Sequence, residues 1–293
     1  MRIWLNAARP RTLPAAIAPV FVGTAAAYAA VNEMPRWGAF LAALVASVLI
    51  QIGTNLANDY SDARRGADSA DRLGPVRVTS AGLVTPRRVL MATWIAFGIA
   101  ALLGIYLAFV AGWIILLVGA LSITAGVLYT GGPRPYGYAG LGEFFVFLFF
   151  GLVSVNGSYY VQLEEITWVS VGLSIAIGFL STAILVVNNT RDMDTDRRAK
   201  KNTLAVRIGR DRSRLLYAAL VYGAFVVLVL TIALNGGPWL ALLGLLALPM
   251  TIRPVRAMRT RTDGPSLNAA LAQTGAALGI FSLLTAIGLV IGA

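Results

Sequence analysis

Apolar residues gather in nine long stretches along this chain, near residues 13–31, 37–57, 89–110, 112–130, 143–162, 166–188, 214–234, 238–257 and 267–291. Each runs for about 20 residues, the length a helix needs to cross the hydrocarbon core of a bilayer. The breaks between them carry turn chemistry: Asn32 to Pro35, Gly112, Gly131-Gly132-Pro133, Glu164-Glu165 and Asn235-Gly236-Gly237-Pro238. The pattern predicts an all-α, polytopic membrane protein of about nine transmembrane helices, with residues 1–293 forming a single integral membrane domain.

Composition agrees. The chain is 58% hydrophobic and 13% charged, where a soluble domain is about half apolar and about a quarter charged. The charges that remain are sorted by loop. Arg2, Arg9 and Arg11 precede the first stretch, and Arg64, Arg65, Arg72, Arg77, Arg87 and Arg88 follow the second. Arg134 follows the fourth, a dense run from Arg191 to Arg214 follows the sixth, and Arg253, Arg256, Arg259 and Arg261 follow the eighth. Of 24 basic residues, only Arg36 falls on the opposite side. The positive-inside rule therefore predicts a multi-pass cell-membrane protein with its N-terminus and these loops in the cytoplasm and its C-terminus outside. Orientation accounts for the net charge of +11, so no nucleic-acid partner is expected. The first stretch resembles a secretory leader, but its length, Pro14 and Pro19, and the loop sorting favour the expectation that it is a retained span.

Two stretches end in polar clusters that have no place in lipid. The second closes in Asn55, Asn58, Asp59 and Asp62, and the sixth in Asn188, Asn189, Arg191, Asp192, Asp194 and Asp196. On a helix, Asn55, Asp59 and Asp62 share one face, as do Asn188, Asp192 and Asp196. A solvated helix end would explain any single aspartate; two such clusters at matching cytoplasmic ends are harder to explain that way. Four carboxylates brought together at a lipid boundary call for a cation. With no Cys and no His in the chain, a metal must be held by oxygens, which points to Mg²⁺ or Ca²⁺. Two carboxylate pairs, Asp59 with Asp62 and Asp192 with Asp196, suit two Mg²⁺ ions gripping one diphosphate. Asn55, Asn58, Asn188 and Asn189 can bond metal-bound water or phosphate. Arg65, Arg72, Arg77, Arg191 and Lys201 can take the remaining phosphate oxygens.

These residues resemble the two aspartate-rich motifs of the UbiA superfamily of intramembrane prenyltransferases: N-D-Y-S-D at 58–62 and N-N-T-R-D-M-D-T-D at 188–196. Flanking stretches are similar to its 1,4-dihydroxy-2-naphthoate branch: A-R-P-R-T-L-P at 8–14, N-L-A-N-D-Y-S-D-A-R-R-G-A-D at 55–68, D-R-L-G-P-V-R at 71–77, P-Y-G-Y-A-G-L-G-E at 135–143 and K-N-T-L-A-V-R-I-G at 201–209. A third aspartate that some members carry in the first motif is replaced by Gly66. The resemblance implies helices around a central cavity and transfer of a chain from a polyprenyl diphosphate to 1,4-dihydroxy-2-naphthoate. CO₂ and diphosphate would leave, Mg²⁺ would assist, and membrane lipid would surround the tail.

Within that expectation Asp59, Asp62, Asp192 and Asp196 are catalytic metal ligands, and Asn202 joins Lys201 at the substrate. Tyr129, Tyr136, Tyr138 and the Phe residues of the fifth stretch can face an allylic cation. Asp192 and Asp194 are both candidates for a base. Arg134 can meet the naphthoate carboxylate, although a lone positive-inside charge explains it equally well. The Arg-rich segments after the second and sixth stretches are expected to close over the site. Other acceptors, such as 4-hydroxybenzoate, remain open within the superfamily. CDP-alcohol phosphotransferases require an Asp-Gly motif that Asp62-Ala63-Arg64-Arg65 does not match. An ion-coupled transporter would place acids near mid-span, away from these ends.

Overall fold

The computed structural model describes residues 2–66, 73–74 and 77–293, the side chain of Arg2 excepted. The described residues form helices and no strand. A short helix α1 (Arg2–Ala8) and a 3₁₀ turn (Pro10–Thr12) precede α2 (Pro14–Val31), α3 (Trp37–Arg64), α4 (Pro86–Ala111) and α5 (Ile114–Leu128). The fifth span is composite: α6 (Gly142–Val146), a π-helical segment (Phe147–Val153) and α7 (Ser154–Leu163) run on as one rod. Next come α8 (Trp168–Arg198) and α9 (Leu204–Asn235). A 3₁₀ segment (Trp239–Ala247) leads into α10 (Leu248–Thr260), and α11 (Gly264–Ile291) closes the bundle. Eight of these spans are long and apolar enough to cross a membrane. The remaining one, α5, has 15 residues, about 22 Å at 1.5 Å per residue. The chain is a multi-pass, all-helical membrane protein.

The two helices bearing the polar clusters run past their predicted ends. α3 continues from 57 to Arg64 and α8 from 188 to Arg198. At 28 and 31 residues they reach about 42 and 46 Å, beyond a hydrocarbon core of about 30 Å. Hydropathy falls where the polar residues begin, but backbone hydrogen bonding does not. Both clusters therefore stand on rigid helix.

The basic run after α8 is likewise mostly helix, which corrects the expectation of a closing loop there. α9 begins at Leu204, ten residues before the predicted start, and only Ala199–Thr203 connect it to α8. This connection is pinned. The Lys201 N–H donates to the Asp196 carbonyl at 2.8 Å and the Asn202 N–H to the Tyr138 carbonyl at 3.0 Å. Gly209, at φ 81°, kinks the start of α9 in a backbone region that side chains rarely tolerate.

α8 is the most enclosed helix, packed by α9, α11, α2 and the π-helical segment. Leu173, Ile177, Leu180, Ala183 and Val187 of α8 meet Tyr217, Val221 and Leu228 of α9 and Leu278 of α11 in the main core. Small residues permit the closest crossings, as expected where apolar lipid offers no hydrophobic drive between helices. Gly151 of the π-helical segment lies against Gly178 of α8, and a Cβ on Gly151 would meet the Gly178 Cα at 2.6 Å. At the opposite ends of the spans from the polar clusters, Trp37, Trp113, Trp168 and Trp239 are all more than half exposed, forming an interfacial aromatic belt.

Candidate active site

A cavity of about 330 Å³ runs between α3, α4, α5 and the α6–α7 rod and ends against α8. Its lining on α3 extends from Ala43 to Asp62, about 28 Å along the axis. One end is apolar and built from small or aliphatic groups, among them Ala46, Ile50, Gly104, Leu107, Gly119 and Gly157. Aromatic faces follow. Tyr129, Tyr136, Phe145 and Phe149 line the middle, with Tyr136 stacked on Phe145 at 4.0 Å and Tyr129 edge-on to Tyr136 at 5.5 Å. Burial lifts the Tyr136 hydroxyl above its ordinary pKa, so it stays protonated and donates to the Ala125 carbonyl at 2.9 Å.

The other end is polar and receives both clusters. Asn55, Asn58 and Asp62 line it from α3, and Asn188, Asn189, Asp192 and Asp196 from α8. Arg77 and Lys201 complete it. Asp62, 1% exposed, accepts from Arg77 and Lys201 at 2.9 Å each and from the Tyr138 hydroxyl at 2.6 Å. The Lys201 ammonium also lies 4.8 Å from the Tyr138 ring centre. Burial and then the Asp62 charge hold the Tyr138 hydroxyl well above its ordinary pKa, which keeps it a donor. Two buried cations thus share one carboxylate, and each can also donate to a phosphate oxygen.

On α8, Asp192 is held by its neighbour. Arg191 grips it through two bonds, Nε at 2.8 Å and an Nη at 2.6 Å. The same guanidinium donates to Asn188 at 2.9 Å and to Asn268 of α11 at 2.7 Å. Arg191 is thus buried behind the carboxylate and does not line the cavity. Residues of both clusters line the same cavity as Tyr129.

Several predicted residues stand elsewhere. Both Asp59 oxygens accept backbone N–H groups, from Val78 and Thr79 at 2.9 Å each, and Asp59 is not part of the cavity lining. Asp59 and Asp62 are three apart in sequence, yet one fastens the chain after α3 while the other faces the cavity. Asn55 lines the cavity but also donates to the Ala8 carbonyl and Thr12, tying α3 to the A-R-P-R-T-L-P stretch. Asn58 accepts from Thr130 at 2.8 Å. Arg65 is exposed, bonded to the Gly132 carbonyl and set 5.7 Å from the Tyr138 ring centre. Arg134 and Asn202 are exposed and outside the cavity, and Asn202 engages Tyr138 through its backbone. Asp194 is also exposed, paired with Arg210. Arg72 lies outside the described residues.

Sequence reasoning passed over Thr130, Asn268 and Glu143. Glu143 had the best available signal, a lone acid opening an apolar span.

Comparison with known proteins places this architecture. Residues 16–278 match the model of the UbiA prenyltransferase family. The chain is 46% identical to 1,4-dihydroxy-2-naphthoate octaprenyltransferase of Mycobacterium tuberculosis, over 99% of this chain and 97% of that one. Its identity to the Escherichia coli enzyme of the same name is 38%, over 98% and 94%. The fold is similar to that of a UbiA homologue from Archaeoglobus fulgidus bound to GPP and Mg²⁺, with a TM-score of 0.72, 14% identity and 99% of both chains covered. An amphipathic cavity with acid-rich helix ends at its polar mouth, on a chain matched almost throughout, identifies it as a member of the UbiA prenyltransferase family.

Proposed function

We propose that the protein transfers a polyprenyl chain from a polyprenyl diphosphate to 1,4-dihydroxy-2-naphthoate, releasing diphosphate and CO₂ and leaving a prenylated naphthalenediol, demethylmenaquinol. The observation that carries this reading is the cavity's polarity: buried cations and carboxylates at one end, an aromatic middle and a long apolar run beyond. A prenyl diphosphate has the same sequence of groups, with a charged head, a reactive allylic carbon and an apolar tail. The naphthoate is favoured as acceptor by relatives of that name spanning nearly the whole chain. The membrane supplies the tail's surroundings, and the sorted Arg and Lys residues favour a cytoplasmic polar mouth, an internal N-terminus and an external C-terminus.

The donor set fits Mg²⁺. Among the described residues no three acids come close enough to hold a metal by themselves. Mg²⁺ is usually held by one or two carboxylates plus phosphate oxygens and water. Asp62, Asp192 and Asp196, with Asn58 and Asn188 beside them, are the residues that would hold it with the diphosphate. When bound, Mg²⁺ neutralises charge developing on the departing diphosphate.

The remaining chemistry belongs to the chain's own residues. Arg77 and Lys201 exchange part of their grip on Asp62 for phosphate oxygens. Tyr129, Tyr136, Phe145 and Phe149 face the allylic carbon and stabilise its developing positive charge. The apolar walls exclude water that would quench it. Asp59, fastened to Val78 and Thr79, keeps Arg77 in place.

Offering the purified protein one prenyl diphosphate with either 1,4-dihydroxy-2-naphthoate or 4-hydroxybenzoate tests the acceptor. Turnover of the naphthoate is expected. Turnover of 4-hydroxybenzoate alone would overturn the assignment.

A further inference from the structure

No residue of α9 or α10 lines the cavity, yet these two helices build a second concave surface. Arg214 of α9 donates to the Met258 carbonyl at 2.8 Å and to the Arg261 carbonyl at 3.3 Å. These bonds set the early turns of α9 level with the end of α10. Beside them opens a groove of about 450 Å³, lined by Tyr222 of α9 and by Ile252, Val255, Arg256, Arg259 and Thr260 of α10. From Ile252 to Arg259 it follows about 10 Å of helix.

Polarity changes along this groove. Ile252 is 59% exposed and Tyr222 43% exposed, and exposed apolar groups continue along α9 at Val226 and Leu230. Such side chains on a membrane span face acyl chains. Arg256 and Arg259, both exposed, stand one turn apart at the other end. Ile252, Arg256 and Arg259 are spaced four and three apart, so they share one face of α10. The groove thus passes from acyl-chain surface to cations within two turns, as a phospholipid passes from chain to phosphate.

These cations have no acid to balance them. Asp194 pairs with Arg210 and Asp211 with Arg214, and the Asp263 carboxylate accepts the Ser266 N–H at the start of α11. Among the described residues, the side chains of Arg256 and Arg259 have neither an ion pair nor a hydrogen bond. Membrane orientation accounts for positive charge at this end of the bundle, but not for its place in an apolar groove. Guanidinium groups match phosphate oxygens in forked pairs. A zwitterionic head group would bring its own cation up to the two arginines, and an anionic one would not.

We propose that this groove binds one anionic glycerophospholipid of the membrane, with its phosphate between Arg256 and Arg259 and an acyl chain along Ile252 and Tyr222. The site stands apart from the prenyl-transfer reading, because it shares no residue with the cavity.

The test uses the full-length protein in detergent, given phosphatidylglycerol or phosphatidylcholine with matched chains, and counts bound lipid by native mass spectrometry. Phosphatidylglycerol should be retained about 10-fold or more over phosphatidylcholine, the preference that two surface arginines supply. Arg256→Gln with Arg259→Gln should abolish that preference. Both side chains are exposed and unpaired, so the melting temperature without lipid should not move. Arg256→Lys with Arg259→Lys keeps the charge and should keep most of the preference. Arg87→Gln with Arg88→Gln removes the same charge from the exposed start of α4 and should leave the preference intact. Equal retention of both lipids by the unaltered protein overturns the proposal. So does an equal loss in the α4 and α10 Gln variants, which would mark diffuse surface charge. Displacement of the bound lipid by millimolar glycerol 3-phosphate would show a site for free anions and overturn the lipid assignment.

Discussion

The Lys201 ammonium donates to the Asp62 carboxylate at 2.9 Å across 139 residues of sequence. This contact joins the connection after α8 to the end of α3 and closes the polar mouth of the cavity. With Arg77 on the same oxygen, it holds two cations where an anionic head group would lie.

Replacing Lys201 with Met removes one of those cations and leaves Asp62 paired with Arg77. A hydrogen bond to a charged group contributes about 1.5–3 kcal/mol. KM for the prenyl diphosphate should therefore rise by about 10- to 100-fold, with naphthoate KM little changed. Steady-state kinetics varying each substrate in turn would show the split. Equal effects on both substrates would contradict the assignment of Lys201 to the diphosphate.

Asp62→Asn should abolish turnover and also weaken the fold. It leaves Arg77 and Lys201 buried beside a neutral amide, and breaking a buried ion pair costs about 3–5 kcal/mol. Thermal unfolding in detergent should shift down, and restoring the carboxylate as Asp62→Glu should recover part of the shift. An Asn variant as stable as the original would show that the cations are satisfied elsewhere.

Asp59 should behave differently although it is only three residues away. Its oxygens hold the Val78 and Thr79 N–H groups, so Asp59→Ala should speed hydrogen exchange of those two amides. Activity should fall through misplacement of Arg77. Unchanged exchange at Val78 and Thr79 would remove this account of Asp59.

The contrast between these two aspartates marks where the sequence stops being informative. Helical spacing put Asn55, Asp59 and Asp62 on one face. Spacing does not reveal that the Val78 and Thr79 N–H groups engage Asp59 and leave Asp62 for the cavity. The nine apolar runs and both acid clusters were legible because hydropathy and charge are local properties. The ends of α3 and α8 and the start of α9 were not, because polar residues lower hydropathy without ending a helix. The pairing of Glu143 with Asn189 was hidden for another reason: it spans 46 residues and depends on how α6 crosses α8.

The apolar end of the cavity sets the space for the tail. Cβ atoms added at Gly104, Gly119 or Gly157 would meet no atom within 4 Å, and all three glycines line the cavity. Gly119→Leu and Gly157→Leu should therefore fold normally and protrude into the channel. Turnover of a long polyprenyl diphosphate should drop at least tenfold, while a two-isoprene donor is still used. Mass spectrometry of products from a mixture of donors would read this out, and an unchanged product distribution would move the tail to another path.

The central claim is that the polar mouth binds a diphosphate and the cavity transfers its prenyl group to the naphthoate. The most direct measurement uses purified protein in lipid nanodiscs with a prenyl diphosphate, 1,4-dihydroxy-2-naphthoate and Mg²⁺, counting prenylated product, CO₂ and diphosphate together. The account predicts equal amounts of all three, and none of them after chelation or in Asp192→Asn. Diphosphate release without prenylated product, or full turnover in the presence of chelator, would contradict it.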